Sequence, residues 1–526
     1  MDSQTDSPDS GPSSDPDQDM TDWGPFGRPL FDDPQAKALS RVGVVDVGSN
    51  SVRLVVFDGA ARSPAYFYNE KVMCALGAGL SQTGHLNPTG RVRALSAIRR
   101  FAALAQGMGI GPLTAVATAA VREASDGEEF RREVMRETGV RLWVINGEEE
   151  ARLSAQGVLL GWPGSYGMVC DIGGSSMELA YLNDGQVGRR LTSPLGPLKL
   201  SGFTSKKALK SHIRDIMARL FADMGGETGK RLFLVGGSWR AIARIDMERR
   251  GYPLTVLHEY RMNQQSVAAT AEYINVTALE AVRGRTGISS DRMALVPIAV
   301  QVLRELVRTF KPKDITISSY GIREGMLYEQ MPQELRERDP LIESCYFAES
   351  KDARLPGFGR ILFDFVSPLF PRASWQMQRI IKAACLLHDV TWRAHPDYRD
   401  EVAFDNVTRA NLGGLKHGER VFLGLSLLHR YSNKREGSRF EPIFRLLTAE
   451  RQQEAEVLGK AMRLGAMLWL QADEQPGKLV WRPKKREITL VLNSHARPLF
   501  GEVAQARLNA LAAALNATAS VTILND

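Results

Sequence analysis

Cysteine is scarce in this chain of 526 residues, which excludes the disulfide-rich secreted class. The four cysteines lie far apart, with no CxxC pair, so neither a disulfide framework nor a cysteine zinc site is predicted. The chain has no run of about 18 uncharged apolar residues, which argues against a membrane span. The first residues form no basic and apolar leader, and we therefore expect a cytoplasmic protein.

The motifs of several large enzyme classes are also missing. The chain has no GxxxxGK[ST] phosphate loop, no GxSxG nucleophile turn and no HExxH zinc motif. Aromatic residues make up only 8% of the chain and form no recognition motif, so nucleic-acid binding is not expected. The composition, 44% hydrophobic and 24% charged, is that of an ordinary globular protein.

Charge is distributed unevenly along the chain. Residues 1–38 hold nine Asp and only two basic residues, and their Ser, Asp and Pro content predicts a disordered acidic tail. The whole chain carries a net charge of +7 and the tail −7, so the remainder carries +14. A strongly basic body favours a polyanionic partner, such as a phosphate chain or a nucleotide. The basic segment 206–214 could line a path for such a polymer or form a solvated helix face.

An apolar strand, an Asp, a Gly-containing polar turn and a second strand follow one another from Val42, and the pattern recurs 125 residues later. This repetition predicts a duplicated α/β module. A later strand runs into a Gly-Gly-Ser turn, and long amphipathic helices dominate beyond residue 330. The predicted domains are a tail at 1–38, α/β modules at 39–165 and 166–330, a helical domain at 331–474 and a small α/β domain at 475–526.

Each glycine-containing turn could bind an anion, because its backbone N–H groups point outward and glycine permits close approach. An Asp at the end of the preceding strand could hold Mg²⁺. One such turn alone is most often a hairpin with a capping Asp, but two copies followed by a strand–Gly-Gly–helix turn are more specific. The candidate phosphate-binding residues are Ser49, Asn50, Ser51, Gly173, Gly174, Ser175, Ser176, Gly236, Gly237 and Ser238.

Several segments together resemble those of the exopolyphosphatase / guanosine pentaphosphate phosphohydrolase family. They are Asp46-Val-Gly-Ser-Asn-Ser51, Ala117-Thr118 with Arg122, Gly147-Glu-Glu-Glu150-Ala-Arg-Leu153, Asp171-Ile-Gly-Gly-Ser-Ser176 and Gly321-Ile-Arg-Glu-Gly325. The resemblance covers residues 42–328, and the helical remainder is similar to the C-terminal part of the longer members. It implies two ribonuclease-H-like domains of the actin/sugar-kinase superfamily, then an all-α HD-like domain and a small α/β domain.

The resemblance implies an exopolyphosphatase that removes the terminal phosphoryl group of inorganic polyphosphate with Mg²⁺, and leaves stimulation by a monovalent cation open. One alternative is hydrolysis of guanosine pentaphosphate to the tetraphosphate. An ATP-using kinase or ATPase of the same superfamily and a non-catalytic polyphosphate or alarmone sensor are further alternatives. Longer members of the family resemble dimers, so a homodimer is expected.

The resemblance also implies roles for individual residues. Glu150 matches the family's catalytic base, although acids at the exposed start of a helix are the alternative reading of the run 148–150. Asp46 and Asp171, with Glu150, would hold the metal or orient water. Arg122 would bind phosphate oxygens, since a guanidinium matches phosphate geometry.

Two features depart from the family's pattern or add to it. Trp239 follows the third turn, where it could fill the space of a nucleoside or simply pack in the core. His388 and Asp389 resemble an HD metal pair, but no histidine occurs in residues 331–387, so we predict a degenerate site without metal.

Overall fold

The computed structural model describes residues 41–524 apart from 59–61, 63–64, 111–112, 434–435 and 470–475. The predicted acidic tail at 1–38 and the predicted boundary at 474/475 therefore lie outside the described residues.

The first α/β unit is a mixed sheet with helices packed against it. Its strands are β1 (Val42–Val47), β2 (Ser51–Phe57), β3 (Tyr66–Met73), β4 (Thr114–Ala117) and β5 (Leu142–Val144). Its helices are α1 (Leu80–Thr83), α2 (Pro88–Gly107), α3 (Ala119–Glu123), α4 (Gly127–Thr138) and α5 (Gly147–Gly161). The strand order is β3-β2-β1-β4-β5, antiparallel on one side of β1 and parallel on the other.

The second unit repeats this arrangement. Its strands are β6 (Gly167–Ile172), β7 (Met177–Asn183), β8 (Gln186–Ser193), β9 (Arg231–Val235), β10 (Arg261–Met262) and β11 (Asp314–Ile317). Its helices are α6 (Pro197–Leu200), α7 (Lys206–Asp223), α8 (Gly237–Arg249), α9 (Gln264–Val276), α10 (Leu279–Thr286), α11 (Ser290–Phe310) and α12 (Ile322–Glu329). The order β8-β7-β6-β9-β11 matches that of the first sheet, and β10 is added at the edge. The predicted duplication is thus confirmed.

The two predicted hairpin turns also match at the level of single hydrogen bonds. The Gly48 N–H donates to the Ser51 carbonyl at 3.0 Å, and the Gly173 N–H donates to the Ser176 carbonyl at 3.0 Å. Both pairs are related by the 125-residue repeat distance read from the sequence. The two turns therefore have the same local geometry, as expected for copies of one module.

Helices α5 and α12 join the two units through direct backbone contact. A Cβ atom on Gly157 would lie 2.2 Å from the Gly321 carbonyl oxygen, and one on Gly325 would lie 1.8 Å from that of Leu153. The sites therefore require glycine, because no side chain fits between the helices. A shared core of buried residues from both sheets, Val44 and Val169 among them, surrounds this contact.

Helices and a third sheet make up the rest of the chain. They are α13 (Gln333–Arg336), α14 (Pro340–Asp352), α15 (Phe358–Val366), α16 (Trp375–Leu387), α17 (Arg399–Arg409), α18 (His417–Tyr431), α19 (Glu441–Phe444), α20 (Ala449–Leu468), β12 (Gly477–Arg482), β13 (Glu487–Leu492), α21 (Glu502–Ala514) and β14 (Thr518–Ile523). Short 3-10 helices lie at Ser367–Leu369, Pro396–Tyr398 and Ser494–Leu499. The helices and the sheet share one hydrophobic core. None of the described helices is long and apolar enough to cross a membrane.

The HD-like residue pair is engaged in packing contacts. The ring nitrogen Nδ1 of His388 lies 2.8 Å from the Cys385 carbonyl oxygen, and burial lowers the pKa of His388 to about 3. The Asp389 carboxylate accepts hydrogen bonds from Arg354 at 2.8 and 2.6 Å. The assignment of this region as an HD-like domain stays a prediction.

The helix contact generates a prediction about stability. We expect Gly325→Ala to destabilise the protein by about 1–3 kcal/mol or more, because the added methyl group would overlap the Leu153 carbonyl. Gly284→Ala in α10 is the matched control: nothing lies within 4 Å of its Cβ position, so alanine should stabilise by about 0.5–1 kcal/mol. Denaturant midpoints measure both. Equal midpoints for the two variants would contradict the close contact.

Candidate active site

A cavity of about 200 Å³ lies between the two α/β units, where the carboxyl ends of β1, β6 and β9 face one another. Eleven of the predicted site residues line it: Asp46, Ser49, Ser51, Glu150, Asp171, Gly173, Gly174, Ser175, Ser176, Gly236 and Gly237. Sequence positions almost 200 residues apart thus meet at one place. The position at the ends of parallel strands is typical of ligand sites in α/β proteins.

The two hairpin turns face each other across the cavity. The Ser175 hydroxyl lies 3.4 Å from the Ser49 hydroxyl. Each turn is fixed from behind by a backbone hydrogen bond of 2.8 Å, from the Gly77 N–H to the Ser49 carbonyl and from the Leu198 N–H to the Gly174 carbonyl. The cavity is therefore bounded by two held turns of small polar residues, which leave room for an anion.

Asp46 and Asp171 occupy equivalent positions in the two units. Each is the last but one residue of its central strand, just before the turn. Burial raises the pKa of both carboxyl groups. The Ser154 hydroxyl of α5 donates a hydrogen bond to Asp171 Oδ2. The residues opposite them in the neighbouring antiparallel strands differ in charge. In the strand register Arg53 lies opposite Asp46, and Glu178 lies opposite Asp171.

The third turn lies beside Asp171. Gly236 has a φ of +113°, and a Cβ atom there would lie 2.5 Å from the Ile172 carbonyl oxygen and 3.0 Å from Asp171 Oδ1. A Cβ atom on Gly237 would lie 2.6 Å from the guanidinium carbon of Arg292. Gly236 is thus required by its positive φ and by the backbone beside it, whereas Gly237 leaves space for the Arg292 guanidinium.

Glu150 is the only member of its acidic run that lines the cavity. The Asn146 side chain caps α5 by accepting from the Glu149 N–H at 2.8 Å, which places Glu150 in the first helical turn. The Glu150 side chain is 8% exposed, whereas Glu148 is exposed and Glu149 pairs with Arg152. Burial and the nearby Asp171 raise the pKa of Glu150 to about 8. The structure therefore separates Glu150 from the surface acids beside it.

Arg122, Asn50 and Ser238 do not line the cavity. The Arg122 guanidinium lies 3.6 Å from Glu150 Oε2 and donates to the Ile145 carbonyl at 2.8 Å. The Asn50 carbonyl accepts from the N–H groups that follow β3. The geometry thus supports orientation of Glu150 by Arg122 rather than the predicted contact of Arg122 with phosphate.

Five cationic side chains that the sequence did not single out also line the cavity: Arg53, Lys71, Arg240, Arg292 and Arg323. None of them forms an ion pair with an acid of the described residues. Arg240 donates to the Ser319 carbonyl at 3.3 Å, and the buried Nε of Arg323 has no hydrogen-bond partner. Only Arg323 lies within a quoted motif. Arg53 interrupts an apolar strand, and this is the one local sequence signal that could have indicated a functional cation.

Trp239 packs in the core of the second unit and is fully buried. The structure thus confirms the core-packing alternative for Trp239, which does not line the cavity.

The donor set of the cavity fits Mg²⁺. Asp46 and Asp171 offer carboxylate oxygens, and the buried Glu150 Oε2 has no hydrogen-bond partner. Among the described residues, no group of three or more His, Cys, Asp or Glu side chains is placed to hold an ion on its own. Mg²⁺ commonly binds through one or two carboxylates completed by substrate phosphate oxygens and water, and the two aspartates suit that mode.

Comparison with protein families gives two matches. The model of the Ppx/GppA phosphatase family matches residues 55–334, which include most of the cavity. The model described as "Exopolyphosphatase, C-terminal" matches residues 365–521.

Individual relatives cover much of the chain. Exopolyphosphatase 1 of Mycobacterium tuberculosis is 28% identical over 320 residues, 58% of this chain and 92% of its own. Retrograde regulation protein 2 of Saccharomyces cerevisiae is 26% identical over 444 residues, 76% of this chain and 74% of its own. The crystal structure of the Aquifex aeolicus member of the Ppx/GppA family is 21% identical, covers 55% of this chain and 97% of its own, and has a TM-score of 0.49.

The facing turns generate a prediction that needs no knowledge of activity. We expect the double variant Ser49→Cys/Ser175→Cys to form a disulfide under mild oxidation, because the two hydroxyls are 3.4 Å apart. The four native cysteines are buried and should not react. Mass spectrometry after alkylation counts the thiols, with each single variant as a control. Full alkylation of both new cysteines after oxidation would show that the turns do not face each other.

Proposed function

The chain belongs to the Ppx/GppA phosphatase family, and on this premise we propose that it is an exopolyphosphatase that releases orthophosphate from inorganic polyphosphate with Mg²⁺ and a glutamate-activated water. The observation that carries the proposal is the composition of the cavity wall. Five cations, which form no ion pair within 4 Å among the described residues, line one cleft together with three carboxylates and two glycine-containing turns. A phosphate chain is the ligand that satisfies the cations and the turns at once.

Glu150 is the proposed general base. During hydrolysis the water oxygen bonds to the terminal phosphorus as the bridging P–O bond breaks, and the carboxylate of Glu150 takes a proton from the water. Its position suits this role, because Glu150 lines the cavity and its buried Oε2 has no hydrogen-bond partner among the described residues. The raised pKa makes the carboxylate a stronger base than an exposed glutamate. Arg122, whose guanidinium lies 3.6 Å from Glu150 Oε2, orients the carboxylate.

The turns and cations stabilise the charge that the reaction moves. Negative charge develops on the bridging oxygen that leaves with the shortened chain. Residues of the turns at 48–51 and 173–176 line the same cavity as Arg240 and Arg323, and they supply its polar donors. Fixed donors of this kind favour a transition state more than water does, since they need no reorganisation.

Asp46 and Asp171 are the residues that would hold Mg²⁺. When bound, the ion supplies positive charge that neutralises phosphate oxygens. Asp46 and Asp171 also repel each other and Glu150, which is part of the reason that the pKa values of Asp171 and Glu150 are raised. Glu150 was predicted as a third ligand, but we propose the base role for it because a carboxylate needs an open lone pair to accept the proton.

Guanosine pentaphosphate hydrolysis is the alternative substrate choice. None of the described residues that line the cavity is aromatic, so the described wall offers no stacking surface for a base. The observed wall thus favours the inorganic chain. The non-catalytic sensor alternative differs from both enzymes in that it predicts binding without turnover. The homodimer and the cytoplasmic location stay predictions.

The base assignment generates a prediction with a close control. We expect Glu150→Gln to lower kcat for long-chain polyphosphate by a factor of about 10²–10⁴, because the amide cannot take the proton. Glu148→Gln should keep nearly full activity, since Glu148 belongs to the same acidic run but is exposed. Orthophosphate release measures both, with guanosine pentaphosphate run alongside.

Three other outcomes of this assay would contradict the proposal. Full activity of Glu150→Gln would remove the base role. Release from the nucleotide alone would move the protein to the alarmone substrate, and tight binding of polyphosphate without turnover would support the sensor.

The metal assignment generates a separate prediction. We expect EDTA to abolish activity and Mg²⁺ to restore it, and Asp171→Asn to raise the Mg²⁺ concentration for half-maximal activity at least about tenfold. Asp215→Asn, an exposed aspartate on α7, is the control and should leave the Mg²⁺ dependence unchanged. Titration of activity against Mg²⁺ gives the result. Identical titration curves for the two variants would mean that Asp171 does not hold the ion.

A further inference from the structure

A buried acid lies next to the cavity without lining it. Glu324, in the first turn of α12, is 1% exposed and is absent from the cavity wall, whereas its neighbour Arg323 lines the wall. In the part of the chain that the structure describes, the Glu324 carboxylate forms no ion pair within 4 Å. A buried acid that does not pair with a cation needs other hydrogen-bond donors.

Two hydrogen bonds fill both oxygens of the Glu324 carboxylate. The Gly321 N–H donates to Oε2 at 2.7 Å, as in one half of a capping box at the start of a helix. The hydroxyl of Tyr66, on the edge strand β3 of the first sheet, donates to Oε1 at 2.7 Å. Burial and Glu324 raise the pKa of the Tyr66 hydroxyl, so it keeps its proton and remains a donor. The strand and the helix start thus hold the acid between them.

The charge of Glu324 nevertheless acts on three arginines of the cavity wall. Burial lowers the pKa of Arg323, but Glu324 and then Asp46 raise it, and the net shift is upward. Burial also lowers the pKa of Arg53 and brings that of Arg240 to about 10, and Glu324 opposes both shifts. The acid therefore attracts the cavity arginines from beyond ion-pair distance.

We propose that Tyr66 is a positioning residue that holds Glu324 away from the cavity arginines and so keeps Arg323 open to phosphate. This inference rests on the proposed function and adds to it a residue that does not itself line the cavity. Without the Tyr66 hydroxyl, Glu324 Oε1 would be a buried acceptor with no donor, which is a costly state. The arginines that the acid already attracts supply the missing donor, and an ion pair formed in this way competes with phosphate.

The test is a double-mutant cycle, read by calorimetric titration with tripolyphosphate in the presence of EDTA. We expect Tyr66→Phe to raise Kd at least about fivefold, because the released acid competes for the arginines. Glu324→Gln should bind at least as tightly as wild type, since the amide oxygen still accepts from Gly321 and carries no charge. In the Glu324→Gln background, Tyr66→Phe should change Kd by less than about twofold. With Mg²⁺, kcat/KM should follow the same order.

Tyr68→Phe is the matched control. Tyr68 lies two residues further along β3, and its hydroxyl bonds to Glu70 rather than to Glu324. Loss of this hydroxyl should therefore leave the Kd for tripolyphosphate unchanged. An increase equal to that of Tyr66→Phe would assign the effect to the strand as a whole and overturn the inference.

The other outcomes are equally decisive. An unchanged Kd for Tyr66→Phe would show that the hydroxyl does not restrain the acid, and an equal loss in both backgrounds would show an effect on the fold and not on the charge. Weaker binding by Glu324→Gln would mean that the acid supports the site. Each of these results, with wild type still active on polyphosphate, removes this inference alone. Absence of both binding and turnover in wild type would instead remove the proposed function and this inference together.

Discussion

The contact between α5 and α12 is the constraint on which the site depends. The two helices touch through backbone atoms at Gly157 and Gly325, and their N-termini carry Glu150 and Arg323 to the cavity. Glu150 is seven residues before Gly157, or about 10 Å along the helix, so a small shift at the contact moves the carboxylate directly. The close fit of the two backbones therefore sets the distance between Glu150 on α5 and Arg323 on α12.

The duplicated units place equivalent aspartates on the two sides of the site, and sequence differences between the units give the two sides different charges. Asp46 and Asp171 keep the same place in both units, but their cross-strand partners have become Arg53 and Glu178. Glu178 is buried, accepts a hydrogen bond from Thr192 at 3.1 Å, and burial raises its pKa well above the usual range. Repeats that were chemically identical would present two equal walls. The substitution instead makes the first unit cationic beside its aspartate and the second acidic, which suits a cleft that holds phosphate and a metal ion together.

The sequence predicted the parts of the site that depend on local geometry. A strand, an Asp and a glycine turn fix one another within about ten residues, so the two hairpins and the Gly236 turn could be placed before the fold was known. Cations such as Lys71 and Arg292 could not, because nothing near them in the sequence distinguishes a lysine on an edge strand from a solvated one. Arg122 shows the opposite failure. Its motif was evident, but which way its side chain points depends on the position of Glu150, and that follows from tertiary packing.

The C-terminal helices are linked, through the second unit, to the end of α5 that lies away from the cavity. None of the described residues lining the cavity comes from these helices. Arg62 donates to the Leu159 and Leu160 carbonyls at the end of α5, and a Cβ atom on Gly161 would lie 3.2 Å from the His258 ring. That histidine's carbonyl lies 3.0 Å from a ring nitrogen of His417 on α18. Since His258 of the second unit lies between this end of α5 and His417 of the helical domain, and Glu150 lies at the other end, the C-terminal region can influence the base by fixing the helix that bears it.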